Sequence, residues 1–256
     1  MAAGQISFGS RVSIDDPAVM NLILLGDNDF IDDHRVRLSD RRFDHITGLL
    51  GKGKGDGVRI GRINGLMGQG VIEDIDSAAL ILSVSLDEQP PAPLPVTLIL
   101  ALPRPKMLRR LLRGITSMGV KSLYLINSYR VDKSYWNSPL LHPGKMREQL
   151  CLGLEQGRDT VLPQVHLCPR FRPFVEDELP GISSSTINLV AHPGEDGGAF
   201  PYQPQIPACL AVGPEGGFIP FEIEKLIEAN FGAAHFGERI LTVETVVPAL
   251  LSRFVR

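Results

Sequence analysis

The chain has 256 residues, of which 43% are hydrophobic and 21% charged, and its formal net charge is −3. That length allows one large domain or two smaller ones, and that composition excludes a disordered chain and, taken whole, a uniformly basic nucleic-acid binder. The longest apolar runs, Leu22–Leu25 and Val96–Leu102 among them, fall far below the roughly 20 residues of a membrane span, so no membrane partner is expected.

Residues 1–19 have no periodicity and read as an extension before Met20, with no basic start and apolar stretch to mark a secretory signal. From Asn21 onward short strands alternate with glycine turns. Val58–Ile63 alternates, Asn64-Gly65 marks a tight hairpin turn, and Gly70–Ile75 and Ala79–Val84 follow. This pattern predicts a small β-barrel over 20–87. Residues 88–95 hold four prolines and form a stiff linker. Beyond it strands and helices alternate. Strands are expected at Val96–Leu102, Ser122–Asn127, Val165–Cys168, Ile187–Ala191, Ala208–Val212 and Ala234–Phe236. Helices are expected at Pro105–Met118, Lys145–Arg158, Pro220–Asn230 and Val243–Arg253. The second domain, 96–256, is therefore α/β with a parallel sheet covered on both faces.

The charge is unevenly spread. Residues 1–95 carry −5, residues 96–150 carry +8 and residues 151–256 carry −6. One basic segment in a mildly acidic protein points to a polyanionic partner. Within it Lys106, Arg109, Arg110 and Arg113 recur at helical spacing on one face, with Leu108, Leu111, Leu112 and Ile115 on another. An ordinary solvated helix face would look the same. Further on, Tyr129-Arg130-Val-Asp-Lys133-Ser-Tyr135-Trp136 interleaves aromatics with cations, which suits phosphate contact and base stacking as well as a plain loop.

Gly213-Pro-Glu-Gly-Gly217 closes an expected strand. Ligands of open parallel sheets bind at such strand ends, and glycines let backbone come close to them. The loop matches neither the dinucleotide nor the phosphate-loop pattern, which disfavours NAD and ATP. Downstream, Gly237, Arg239, Glu244 and Thr245 interrupt an apolar passage into the last helix. They are either site residues or its N-terminal cap. Cys151, Cys168 and Cys209 are too scattered for a disulfide framework or a zinc cluster. No metal is expected, and a reducing cytoplasm is the expected setting.

Taken in order, Leu-Ala-Val-Gly-Pro-Glu-Gly-Gly-Phe over 210–218, Glu222-Ile223, and Gly-Glu-Arg-Ile-Leu-Thr-Val-Glu-Thr over 237–245 resemble the C-terminal signature of the ribosomal RNA uracil-N3-methyltransferases of the SPOUT class. Arg104-Pro-Lys106-Met107, Met118-Gly-Val120, Glu155-Gln-Gly-Arg158 with Pro163, and His192-Pro193 agree in order. Glu238 stands where that family has proline and Thr242 where it has arginine. His45-Ile46 is followed by Thr47-Gly48-Leu49-Leu50-Gly51 rather than by arginines.

The resemblance implies a PUA-like β-barrel for RNA binding and a SPOUT domain with a trefoil knot. It implies methyl transfer from S-adenosylmethionine to N3 of a uridine in 16S ribosomal RNA, presented free or within the small ribosomal subunit, by a homodimer. Gly213, Pro214, Glu215, Gly216, Gly217, Gly237, Ile240, Leu241 and Thr245 would then hold the cofactor. Arg239 would stabilise the uracil anion, and Glu215 or Glu244 would accept the proton. Arg104, Lys106, Arg109, Arg110, Arg113, Arg130, Lys133 and Trp136 would contact RNA. Two alternatives stand beside this: a catalytically impaired protein of the same fold that only binds RNA or the ribosome, and an α/β enzyme of unrelated chemistry.

Overall fold

The computed structural model describes residues 22–192, 198–201, 206–235 and 237–255. The extension expected over 1–19, Pro193 of the His192-Pro193 pair and Phe236 of the expected strand lie outside them.

The N-terminal domain is a curled six-stranded sheet, a half-barrel. Its strands are β1 (Ile23–Leu25), β2 (Phe30–Asp32), β3 (Arg35–Leu38), β4 (Gly57–Arg62), β5 (Met67–Ile75) and β6 (Leu80–Glu88), in the spatial order β1-β4-β5-β6-β3-β2. Alternation drives it: Val36, Leu38, Val58, Ile60, Leu80 and Leu82 face one core. Register shifts between β5 and β6 curl the sheet. At one of them a Cβ on Gly68 would lie 1.9 Å from the Ser85 carbonyl oxygen, so only glycine fits. A short helix, α1 (Arg41–Asp44), runs into a π-turn, His45–Leu49, which drops Ile46 into the core.

Arg42 ties this domain together. Its guanidinium donates to both Asp29 oxygens at 2.6 Å, to Asp40 Oδ2 at 2.8 Å and to the Leu24 carbonyl at 2.6 Å. Burial alone would lower its pKa, but the Asp29 and Asp40 carboxylates outweigh that and raise it. The same guanidinium holds the Asp40 carboxyl below its usual range.

The second domain is built on seven strands, all paired in parallel. They are β7 (Val96–Ala101), β8 (Ser122–Ile126), β9 (Gln164–Cys168), β10 (Ile187–Ala191), β11 (Gly198–Ala199), β12 (Ala208–Val212) and β13 (Gly232–His235), in the spatial order β11-β13-β10-β12-β7-β8-β9. Between them run α2 (Pro105–Ser117), α3 (Pro143–Gly157), α4 (Phe171–Pro173), α5 (Leu179–Ile182), α6 (Pro220–Glu228) and α7 (Val243–Leu251). Three of these helices, α2, α3 and α6, begin with proline, whose missing N–H costs nothing in a first turn. α2 packs against α3 and α7, while α6 packs against the π-turn Phe174–Glu178 that joins α4 to α5. The two groups cover opposite faces, and β12 is buried over its whole length.

Two expectations are adjusted. The last helix stops at Leu251 and passes into a 3-10 turn, Ser252–Phe254, instead of continuing to Arg253. The α4–α5 segment was not expected, because Pro173, Pro180 and Gly181 break up its apolar spacing.

The Asn64–Gly65 turn latches the two domains. Asn64 N donates to the Thr160 carbonyl at 2.8 Å, Thr160 Oγ1 donates to the Gly65 carbonyl at 2.5 Å, and Leu162 N donates to Asn64 Oδ1 at 2.9 Å. Leu22, Leu24, Met67 and Leu154 form a small shared core beside it.

Arg42→Met should destabilise the N-terminal domain by roughly 3 kcal/mol in denaturant titration, because the carboxylates lose their partner. The contribution of Asp40 is complete above its unfolded pKa near about 4 and is lost as pH falls through its lowered folded value. The variant should therefore lose stability less steeply on acidification than the wild type.

Candidate functional site

Adjacent strands β12 and β7 send their chains in opposite directions along the sheet, to β13 and to β8. Such a switch leaves a crevice at the carboxyl ends of the strands. On the same edge, to the β10–β13 side of that switch, opens a cavity of about 340 Å³ lined from the ends of β10, β12 and β13, the glycine loop and α7. Its lining includes Gly213, Pro214, Glu215, Gly216, Gly217, Gly237, Arg239, Ile240 and Leu241. Val212, Ala234, Val246 and Leu250 supply apolar walls, and two imidazoles join them: His192, known from the sequence only through the His192-Pro193 pair, and His235, which carries no motif of its own.

The glycines are needed for shape. A Cβ on Gly213 would lie 2.9 Å from the Phe218 amide nitrogen, and Gly217 and Gly237 have φ of +73° and +88°. Gly217 N closes the turn on the Pro214 carbonyl at 2.8 Å.

Other expected residues stand elsewhere. Glu244 and Thr245 are not in the cavity lining. Glu244 pairs with Arg110 at 3.0 Å, and the Thr245 hydroxyl lies 3.1 Å from that of Thr242, the N-cap residue of α7. The acidic side chain in the first turn suits the helix dipole. Arg104 stands at the rim, its Nε 3.8 Å from Glu215. Arg130 reaches the glycine loop and donates to the Gly216 carbonyl. Arg113 donates to Gln149 of α3 at 2.8 Å. Lys106, Arg109 and Lys133 are exposed and make no ion pair among the described residues. Trp136 packs against the core and donates to Asn127 Oδ1 at 3.0 Å.

Sequence reasoning quoted Glu222 only as part of a motif. In the structure it is 3% exposed and accepts from Tyr129 N at 2.7 Å, Ser128 Oγ at 3.2 Å and Ile219 N at 3.0 Å. It thus ties the loop after β8 to the start of α6, immediately behind the glycine loop. Its signal was a glutamate three residues after Ile219, the position of a capping carboxylate. The cysteines offer no nucleophile here: burial pushes the Cys209 thiol up to about 12 and that of Cys168 up to about 11.

A parallel α/β domain with a partly apolar cavity and a few converging polar groups at its carboxyl edge has the form of a small-molecule-binding α/β protein. A family model described as an RNA methyltransferase domain matches residues 90–255, and the chain belongs to that family. The ribosomal RNA small subunit methyltransferase E of Treponema pallidum is 29% identical over 236 residues, spanning 90% of this chain and 88% of its own. That of Synechocystis is 27% identical over 226 residues, spanning 85% and 72%. A solved structure of the Neisseria gonorrhoeae ribosomal RNA small subunit methyltransferase E, bound to S-adenosyl methionine, shares the fold with a TM-score of 0.70 at 19% identity, over 91% of this chain and 95% of that one.

Glu222→Ala leaves two amide hydrogens without their acceptor in a buried setting. It should cost about 2–4 kcal/mol in stability and loosen the 127–131 loop in hydrogen exchange. Unchanged protection of the Tyr129 amide would contradict the role assigned to this carboxylate.

Proposed function

We propose that the protein transfers a methyl group from S-adenosylmethionine to N3 of a uridine in 16S ribosomal RNA. The observation that carries this reading is the meeting of the glycine loop, Arg239 and Glu215 around one cavity at the carboxyl edge of the sheet. The relatives' activity on ribosomal RNA supports the substrate class.

The cavity suits the cofactor. Apolar walls accept an adenine, and glycine backbone that tolerates no side chain at Gly213 lets a polar ligand come close. Gly213–Gly217, Gly237 and Ile240-Leu241 would hold it. It supplies an activated methyl group on a sulfonium. The residues of this chain supply position and charge. N3 of uracil is protonated at neutral pH, so forming the N–CH3 bond requires the N3 proton to leave. Glu215, which lines the cavity, would accept it; Glu244 is turned to Arg110, which argues against it. Arg239 lines the cavity and makes no ion pair among the described residues, which leaves its charge for the uracil oxygens as the anion develops.

RNA attraction comes from the basic segment. Lys106, Arg109 and Lys133 carry exposed charge, Arg104 stands at the rim, and Arg130 braces the loop. Homodimerisation and the trefoil knot belong to the same reading. The knot fits a strand order in which β12 inserts between β10 and β7. The dimer fits an N-terminal domain fastened far from its own cavity.

Nucleoside mass spectrometry of 16S ribosomal RNA should show loss of one 3-methyluridine in a strain lacking the gene. Wild type should restore it, and Arg239→Ala should restore less than about 1% of the rate while binding cofactor within about threefold of wild type. Equal losses of rate and cofactor affinity would remove the electrostatic role. Changing Lys106 and Arg109 together to Ala should weaken RNA binding and lower the slope of log K against log salt by about 1–2.

A further inference from the structure

The 129–136 segment splits once it is folded. Tyr135 and Trp136 pack against the core, whereas Tyr129 is 80% exposed. Its backbone is nevertheless firmly held. Tyr129 N donates to the buried Glu222 at 2.7 Å, Val131 is buried, and Val131 N closes a turn on the Ser128 carbonyl at 3.0 Å. The next residue, Arg130, donates to the Gly216 carbonyl in the cavity wall. An exposed ring is ordinary surface by itself. A ring on backbone already fixed beside a ligand cavity has less conformational entropy left to lose when it stacks.

We propose that Tyr129 is a stacking platform for an unpaired RNA base at the mouth of the cavity. The inference rests on the RNA methyl-transfer reading and adds a contact to it. Exposed cations flank Tyr129: Arg130 follows it, Lys133 lies four residues on, and Arg104 stands across the glycine loop that Arg130 grips, against the two acids Asp132 and Glu215. A phenol face accepts any base, so Tyr129 fixes where the strand lies and leaves the sequence of the strand to other contacts. Its neighbour in the chain is then positioned by the same buried carboxylate that holds the glycine loop's helix, which couples RNA placement to the cofactor wall.

The test compares the full-length wild type with Tyr129→Phe and Tyr129→Ala. A uridine-containing single-stranded oligoribonucleotide carrying 2-aminopurine reports affinity and stacking. Unmethylated 16S ribosomal RNA reports KM and kcat, calorimetry reports S-adenosylmethionine affinity, and sedimentation reports the assembly. Tyr129→Ala should raise the oligonucleotide Kd and the RNA KM roughly 5- to 100-fold, abolish the 2-aminopurine quench and leave cofactor affinity unchanged. Tyr129→Phe should stay within about twofold of wild type. Wild-type affinity and quench in Tyr129→Ala overturn the proposal. So does a Tyr129→Phe as impaired as Tyr129→Ala, or a Tyr129→Ala that loses affinity only because the assembly dissociates. A wild type that binds and quenches but transfers no methyl group defeats the methyltransferase reading and leaves the platform standing. A Tyr129→Ala that methylates as well as the wild type defeats the platform alone, and a wild type that binds no RNA defeats both.

Discussion

Seven parallel strands impose the plan of this molecule. Each parallel pair needs a crossover, so helices must cover both faces of the sheet, and the central strands β12 and β7 become almost wholly buried. Polar chemistry is then confined to the strand ends. The cavity forms at the carboxyl ends of β10, β12 and β13, on one side of the point where chains leave β12 and β7 in opposite directions. One buried carboxylate, Glu222, keeps that opening in shape by joining the loop after β8 to the start of α6. The glycine loop lies between these two fastened points, so its form is set by its surroundings as well as by its own turn.

The distribution of ion pairs explains how an acidic protein can address a polyanion. In the N-terminal domain Arg35, Arg42, Arg59 and Arg62 pair with acids of that domain and Arg41 pairs with Glu155 across the junction, which leaves Arg37, Lys52 and Lys54 without an ion pair among the described residues; in the basic segment Arg110, Lys121 and Lys145 are paired. The paired cations of the N-terminal domain stabilise the half-barrel and its docking. In the basic segment Lys106, Arg109 and Lys133 have no such partner among the described residues, and Arg104 approaches Glu215 only to 3.8 Å. A net charge summed over the chain hides this contrast, because it counts neutralised and available cations alike.

Much of the second domain was legible in the sequence, because strands buried on both faces read as apolar runs and α2 shows a clear amphipathic period starting at a proline. The glycine loop was legible through its position at a strand end. Three kinds of feature were not. α1 is four residues long and polar, and its place depends on Arg42 meeting Asp29 across the fold. The α4–α5 segment contains two prolines, so tertiary packing outweighs local propensity there. Exposure within the aromatic loop could not be read at all: Tyr129 and Trp136 are both aromatics beside cations, yet one is bare and the other packs against the core. Likewise Glu215 in the glycine loop and Glu244 at a helix start were both open as proton acceptors in the sequence, and only the folded chain turns one into the cavity and the other towards α2.

The latch between the domains has a consequence for how RNA is held. Asn64–Gly65 docks on Thr160, and Leu22 N bonds the Glu155 carbonyl near the end of α3. In a parallel α/β domain each helix runs back from the carboxyl edge to the amino edge, so the end of α3 and the loop into β9 lie at the amino edge. Gln164 N on the Lys121 carbonyl marks that edge, where β8 and β9 begin. The cavity opens on the opposite one. If the proposed function includes RNA contact by the half-barrel, that RNA would be separated from the cavity of the same chain by the length of the sheet. It can reach a cavity either by wrapping around the domain, along the basic α2 and the loop of Tyr129, or by entering that of a second copy. Wrapping makes binding depend on Lys106 and Arg109 in the same chain as Arg239. Entry into a second copy makes half-barrel and cavity complement each other between subunits, so that two chains, each damaged in a different domain, restore activity when mixed.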